Sequence, residues 1–291
     1  MDTQTQNAKK GTQKNVYAIL TEKVIELLQK GTVPWRVSWA EAGLPENVVS
    51  GNAYRGVNRM LLASLGYKRN LFLTSKQLKA LDGAILPEEK PHIVFYFGDG
   101  KKDAGVDETA LEIPDAKKPT QLKYYTVFNI AQCRWADGKT FPDVSPELDP
   151  IQAVIPIKSK DQKRSFYNPL EDFINMPAEK TYPNKAAYCY AEFHELMHST
   201  GHHSRLNRTG LIQMSEFGYD AFSHEELVAE IGAAYLMFHH SLNPEFVSEP
   251  EYIDGWIRKF SQDHYMLYSA AQQAEKAINF LFLGEVDQVR D

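Results

Sequence analysis

At 291 residues the chain is longer than one hydrophobic core usually serves, so two domains are expected. Its 43% hydrophobic and 24% charged residues are those of a globular protein, and no run of 18 apolar residues is present to span a bilayer. The formal net charge of -6 is unevenly spread: residues 1–140 carry 20 Lys and Arg against 15 Asp and Glu, whereas residues 141–291 carry 12 against 23, so the two halves are suited to different partners.

Residues 1–13 are polar, lack the apolar stretch of a secretory signal, and read as a flexible leader. In 15–30 the apolar residues Val16, Ile19, Leu20, Val24, Leu27 and Leu28 recur at helical spacing, and Gly31 follows as a stop. Prolines and glycines make the next segment a loop, with Trp35 and Trp39 flanking Arg36. A turn then leads into a short helix over 52–67, and Thr74 caps a second that ends at Gly83. Residues 91–98 and 122–135 are rich in aromatic and β-branched side chains and are expected to be strands, with a charged loop between them. Residues 1–140 therefore read as one α+β domain, 141–163 as a linker rich in Pro, Asp and Lys, and 164–291 as a mainly helical domain. This second part opens with an extended segment, 165–177, and continues in helices near 184–200, 223–240, 250–262 and 264–283. The only cysteines, Cys133 and Cys189, form no CxxC pair, so neither a disulfide framework nor a cysteine metal site is implied, which fits a reducing cytoplasm.

The chemistry lies in the helix that follows Asn184. His194 and His198 are four residues apart and so share a face, one turn from each other, the spacing that lets two imidazoles bind one tetrahedral Zn²⁺. Glu195 is placed to act as general base toward metal-bound water. A third ligand is needed. The pattern HExxHxxGxxH would put it at position 204, which is a serine, and His202 and His203 are off that register. The helix at 223–240 offers Glu225, Glu226 and Glu230 instead. Glu226 is the preferred ligand and Glu225 the next, although Ser223 and Glu226 also form a capping-box pattern. Glu230, among small apolar residues, needs a strong partner, and an imidazole N–H behind the metal would serve. One Zn²⁺ per chain is expected, with Mn²⁺ or another divalent ion as the alternative. In the first half, basic and aromatic residues interleave as a single-strand binder requires: Trp35, Arg36, Trp39, Tyr54, Arg55, Asn58, Arg59, Lys76 and Gln77 are the candidate contacts.

Several segments in order carry a resemblance: Pro34-Trp35 and Trp39, Asn52-x-Tyr54-Arg55-Gly56-x-Asn58, Leu73-Thr74-x-Lys76-Gln77 and Tyr125-x-Val127-Phe128-Asn129 in the first half. The second half adds Asp172-x-Ile174-x-Met176-Pro177, His194 to His202, Arg205-Leu206-x-Arg208 and Glu225 to Glu230. Together they resemble the ArdC antirestriction family, whose N-terminal domain is shared with TraC-type plasmid primases. The resemblance implies a single-stranded-DNA-binding domain followed by a zincin-like metallopeptidase; Glu226-x-x-x-Glu230 by itself resembles the ExxxD/E helix of gluzincins, which implies a first carboxylate on zinc and a second, Glu230, orienting a histidine. It also implies a plasmid-encoded bacterial protein that protects incoming conjugative DNA from host restriction. Two other readings stay open: a protein that coats single strands and uses the metal only structurally, and a protease acting on DNA-bound or crosslinked protein.

Overall fold

The computed structural model describes residues 15–37, 42–98, 121–135, 139–141, 157–158, 163–211, 220, 222–243 and 248–283. The leader, Trp39, the charged loop at 99–120 and most of the linker lie outside them.

The first half is built on a four-stranded sheet. Strands β1 (Glu46–Asn47), β2 (Leu71–Leu73), β4 (His92–Gly98) and β5 (Gln121–Asn129) take the order β1-β2-β5-β4, with β1 parallel to β2 and the other pairs antiparallel. The long β4–β5 ladder runs from His92 opposite Val127 to Gly98 opposite Gln121. A two-stranded ribbon joins β3 (Ala84–Ile85) to β6 (Cys133–Arg134). The strand expected over 122–135 stops at Asn129. There the Asn129 side chain accepts the Ala131 N–H at 2.9 Å while Gln132 Oε1 accepts the Asn129 N–H at 2.8 Å, and this reciprocal cap turns the chain into a 3₁₀ turn before β6. Three helices accompany the sheet: α1 (Val16–Gln29), α2 (Gly56–Ala63) and α3 (Ser75–Ala80), the last capped by Thr74 and Gln77 in the same reciprocal way. The loop expected around Trp35 contains a 3₁₀ turn, Pro34–Arg36, with proline at its start where no N–H is needed.

The second half carries a small sheet of order β7-β9-β8, made of β7 (Ile157–Lys158), β8 (Phe166–Asn168) and β9 (Phe173–Asn175). β7 lies inside the segment read as a linker, paired parallel to β9. The helices α4 (Lys185–Thr200), α5 (His224–His239), α6 (Pro250–Gln262) and α7 (Met266–Leu283) match the sequence reading to within two residues. The fold is α+β, as expected. Helices α4 and α5 pack on each other, with α7 behind both.

One apolar core runs through both halves. Leu20, Val24 and Leu28 line the buried stripe of α1, which packs on α6, and α2 packs on α7. Trp35 is fully buried. Its ring meets Trp256 and Phe260 edge-on at 5.7 and 6.0 Å, and its N–H donates to the Tyr252 hydroxyl at 3.0 Å. The same 3₁₀ turn also packs against α5.

Candidate metal centre

Helix α4 begins where Asn184 Oδ1 accepts the Ala187 N–H at 2.8 Å. Its buried side, including Phe193, Leu196 and Met197, lies in the core, which leaves His194 and His198 facing α5. Helix α5 begins at Ser223, whose hydroxyl accepts the Glu226 N–H at 3.1 Å. The Glu226 backbone thus serves the cap while its side chain turns to the histidines.

There the three donors meet. The two Nε2 atoms of His194 and His198 are 3.1 Å apart, and Glu226 oxygens lie 3.3 Å from each of them. Donors at ~2.0–2.2 Å from a tetrahedral ion stand roughly 3.3–3.6 Å from one another, so this triangle of residues, with Oε2 facing His194 and Oε1 facing His198, has about the dimensions of three ligands around one cation. Glu226 Oε1 is buried, makes no hydrogen bond and faces the His198 ring nitrogen, an arrangement that a cation would complete. Among the described residues these three form the one group able to hold a metal in this way.

Behind His198 stands Glu225, whose Oε1 is 3.2 Å from Nδ1. The gluzincin-like pattern and its apolar surroundings give that supporting place to Glu230 in the sequence, whereas in the structure Glu225 occupies it. Glu230 accepts the Tyr190 O–H at 2.5 Å and pairs with Arg36 at 3.0 Å, so its strong partners are a phenol and an arginine from the first half. A carboxylate one helical turn beyond Glu226 points past the histidines toward the front segment. His202 and His203 are not donors either: His202 is tied to Ser204 at 2.7 Å beside Asp172, and His203 is exposed.

The triangle opens on a cleft of about 550 Å³ lined by Arg164, Phe166, Asn168, Leu170, Glu195 and Leu211, among others. Glu195 is nearly buried in its wall. The opposite wall is β8, the outer strand of its sheet and part of the extended segment expected at 165–177. Arg205 and Tyr167 both bind Asp172, in the turn between β8 and β9, and Arg205 Nε donates to the Ser199 carbonyl at 2.7 Å, so the hairpin is held against α4.

Burial opposes a charge on His198, but the carboxylates of Glu225 and Glu226 beside it outweigh it and push the imidazole up to about 10. Burial would likewise raise Glu226, yet His194 and His198 beside it hold its carboxyl at about 2. For the metal-free fold, the His198 contribution is complete below its ordinary 6.5 and is lost as pH rises through about 10. The Glu226 contribution is complete above 4.5 and is lost as pH falls through about 2. A coordinated imidazole gives up its proton. Metal uptake near pH ~7.5 is therefore expected to release about one proton, and affinity to rise about tenfold per pH unit well above the ordinary histidine range. Calorimetry in buffers of differing ionisation enthalpy measures this; a heat independent of buffer would show that His198 enters the site already neutral.

The proposed nucleic-acid contacts fare differently. Trp35 is buried as described, and Arg36 stacks on Tyr252 at 3.8 Å while pairing with Glu230. Tyr54 is buried against Phe72. Asn58 holds α2 to β4 by accepting the Phe95 N–H at 2.8 Å and donating to its carbonyl at 2.7 Å. Arg59 pairs with Glu275 at 3.2 Å and lies over the Tyr235 ring, and Gln77 is spent on its capping box and on Asn47. In the structure these side chains are engaged within the protein, and Trp35, Tyr54, Asn58 and Arg59 are buried. Arg55 and Lys76 remain exposed, and Trp39 lies outside the described residues. An interleaving of aromatic and basic residues also suits a packed joint between two halves, which composition alone does not distinguish from a binding surface.

Comparison with known proteins agrees with the geometry. The family described as the N-terminal domain of anti-restriction factor ArdC matches residues 14–128, and the family described as zincin-like metallopeptidase matches 149–273. The metal-free crystal structure of the antirestriction ArdC protein from the R388 plasmid is 32% identical, with a TM-score of 0.68 over 92% of this chain and 97% of that one. This chain belongs to the ArdC antirestriction family. The Mn(II)-bound structure of the same R388 protein is 29% identical, with a TM-score of 0.67 over 95% of this chain and all of that one. A DNA primase TraC of Escherichia coli is 28% identical over 96% of this chain, which spans only 20% of the primase. No described helix is long and apolar enough to cross a membrane.

Proposed function

We propose that this ArdC-family protein binds single-stranded DNA through its first half and cleaves protein at the His194–His198–Glu226 centre, and that it thereby protects incoming conjugative DNA from host restriction. The observation that carries the enzymatic part is the donor triangle, opening on a cleft that has Glu195 in one wall and an outer strand in the other. His194, His198 and Glu226 would hold Zn²⁺, or Mn²⁺ in its place. The bound ion supplies Lewis acidity to the scissile carbonyl and to water. Glu195 accepts a proton from the attacking water and passes it to the departing amine. β8 aligns an extended polypeptide by strand addition. Arg55 and Lys76 contribute to phosphate contacts, and the single strand then serves as a tether that raises the local concentration of proteins on the same DNA.

Glu195→Gln in the full chain separates proteolysis from mere coating. The variant is expected to keep its metal content and its salt-sensitive single-strand affinity while losing roughly 10²–10⁴-fold of peptidase rate, together with protection of transferred DNA in a restricting recipient. Full protection by Glu195→Gln would give the function to DNA coating and leave the metal a structural part.

A further inference from the structure

Arg208 and Glu225 are almost completely buried and form a two-point ion pair. Arg208 Nε donates to Glu225 Oε2 at 2.9 Å, and Nη2 donates to Oε1 at 2.5 Å. Two more guanidinium hydrogens are placed as well: Nη1 donates to Thr200 Oγ1 and Nη2 to the Met197 carbonyl, both at 2.7 Å. The arginine is thereby fixed to the last turn of α4, one face of which carries His198. Two glycines make room for it. A Cβ on Gly201 would lie 2.9 Å from the guanidinium carbon, and one on Gly210 would lie 3.1 Å from the Glu225 Cβ. Gly201 has φ -78, open to any residue, so the close approach of Arg208, and not a left-handed cap, explains the glycine after the metal-bearing helix.

We propose that Arg208 and Glu225 are positioning residues for the metal: Arg208 holds Glu225 as a hydrogen-bond acceptor, and Glu225 in turn fixes the tautomer and ring plane of His198. Both carboxylate oxygens are engaged by guanidinium N–H groups, so toward the imidazole Glu225 can only accept. The neutral ring must then carry its hydrogen on Nδ1, which leaves the Nε2 lone pair directed at His194 and Glu226. Successive residues of one helix thus address the two nitrogens of one imidazole, Glu225 behind and Glu226 in front. The order of partners runs from loop to metal: Arg208, Glu225, His198, cation. This rests on the metal reading of the site and adds what sets the affinity.

The experiment measures Zn²⁺ and Mn²⁺ affinity of the full chain by chelator competition, with the thermal midpoint of each metal-free protein recorded beside it. Glu225→Gln and Arg208→Met are each expected to weaken binding about 10–100-fold, and Arg208→Lys, which keeps the charge without the fork, to lie between them and the parent. Variants with a lowered midpoint but affinities within twofold of the parent would reduce the pair to a structural brace and overturn the proposal. Should Arg208→Met fail to fold, nitrogen NMR of the zinc-loaded parent decides. A His198 protonated at Nδ1 and coordinated through Nε2 supports the relay, and the opposite tautomer overturns it. A parent that binds neither metal, like a His198→Ala control, would instead remove the metal reading beneath it.

Discussion

Divided between residues 141 and 150, the chain is expected to yield two fragments that do not fold alone. The first would expose Leu20, Val24, Leu28 and Trp35, and the second would lose the partners of Trp256 and Phe260, all of which lie in the shared core. Each large apolar side chain contributes ~1.5–3 kcal/mol on full burial, and a domain's whole stability is only ~5–15 kcal/mol. A handful of such losses is therefore enough to unfold either piece. Two buried ion pairs, Arg36–Glu230 and Arg59–Glu275, would also be severed, leaving a charge stranded on each side. Mixing the fragments should restore a cooperative melt. In the intact chain Trp35→Ala should cost about 3–5 kcal/mol of unfolding free energy. Cooperative unfolding and dispersed amide resonances from residues 1–140 alone would contradict a shared core. The expectation also governs how DNA binding is assayed: the complete chain is the proper subject, because an unfolded basic fragment binds nucleic acid without meaning.

Breaking the Arg36–Glu230 pair is the second large effect expected. The carboxylate sits one turn past Glu226 on α5 and takes the hydroxyl of Tyr190, one turn before His194 on α4. Arg36 from the first half closes the group, and its side chain and that of Glu230 are only 17% and 10% exposed. Burial pushes the Tyr190 phenol up, and Glu230 beside it does so further, so the hydroxyl stays a donor. Removing either partner leaves an uncompensated buried charge, at a cost of ~3–5 kcal/mol. Arg36→Met together with Glu230→Gln should cost well under the sum of the single changes, since no ion is then left stranded. Urea midpoints for the two single variants and the double variant test this. Additive losses would mean that solvent already screens the pair. Because the trio brackets the two helices that carry His194, His198 and Glu226, the same variants report how far the front of the molecule stiffens the site.

Local rules made much of this molecule legible. Asn184, Thr74 and Ser223 were readable as caps because an N-cap needs only a side-chain oxygen near the next turn's N–H groups, and each makes that bond. The pairing of His194 with His198 follows from 3.6 residues per turn, and Glu226 was within reach as the polar face of a returning helix. What lay beyond reach was the partner of each charged or aromatic side chain across long separations. Glu225 and Glu230 sit on the same helix in similar apolar surroundings, and only the path of the loop bearing Arg208 and the approach of Arg36 decide which of them stands behind a histidine. Trp35, Tyr54 and Arg59 carry the residue types of a single-strand groove, yet Trp35 and Arg59 joined the seam where α1 and α2 dock on α6 and α7, and Tyr54 joined the cluster around Phe72 behind the first sheet. The sequence by itself determined the α+β class and the helices, and it pointed to His194, His198 and Glu226, which the structure brings together, since these depend on spacing within one or two elements. The tertiary structure alone decided the supporting shell and the buried joint, because a side chain's role there depends on which distant surface it meets, and residue spacing along the chain does not carry that information.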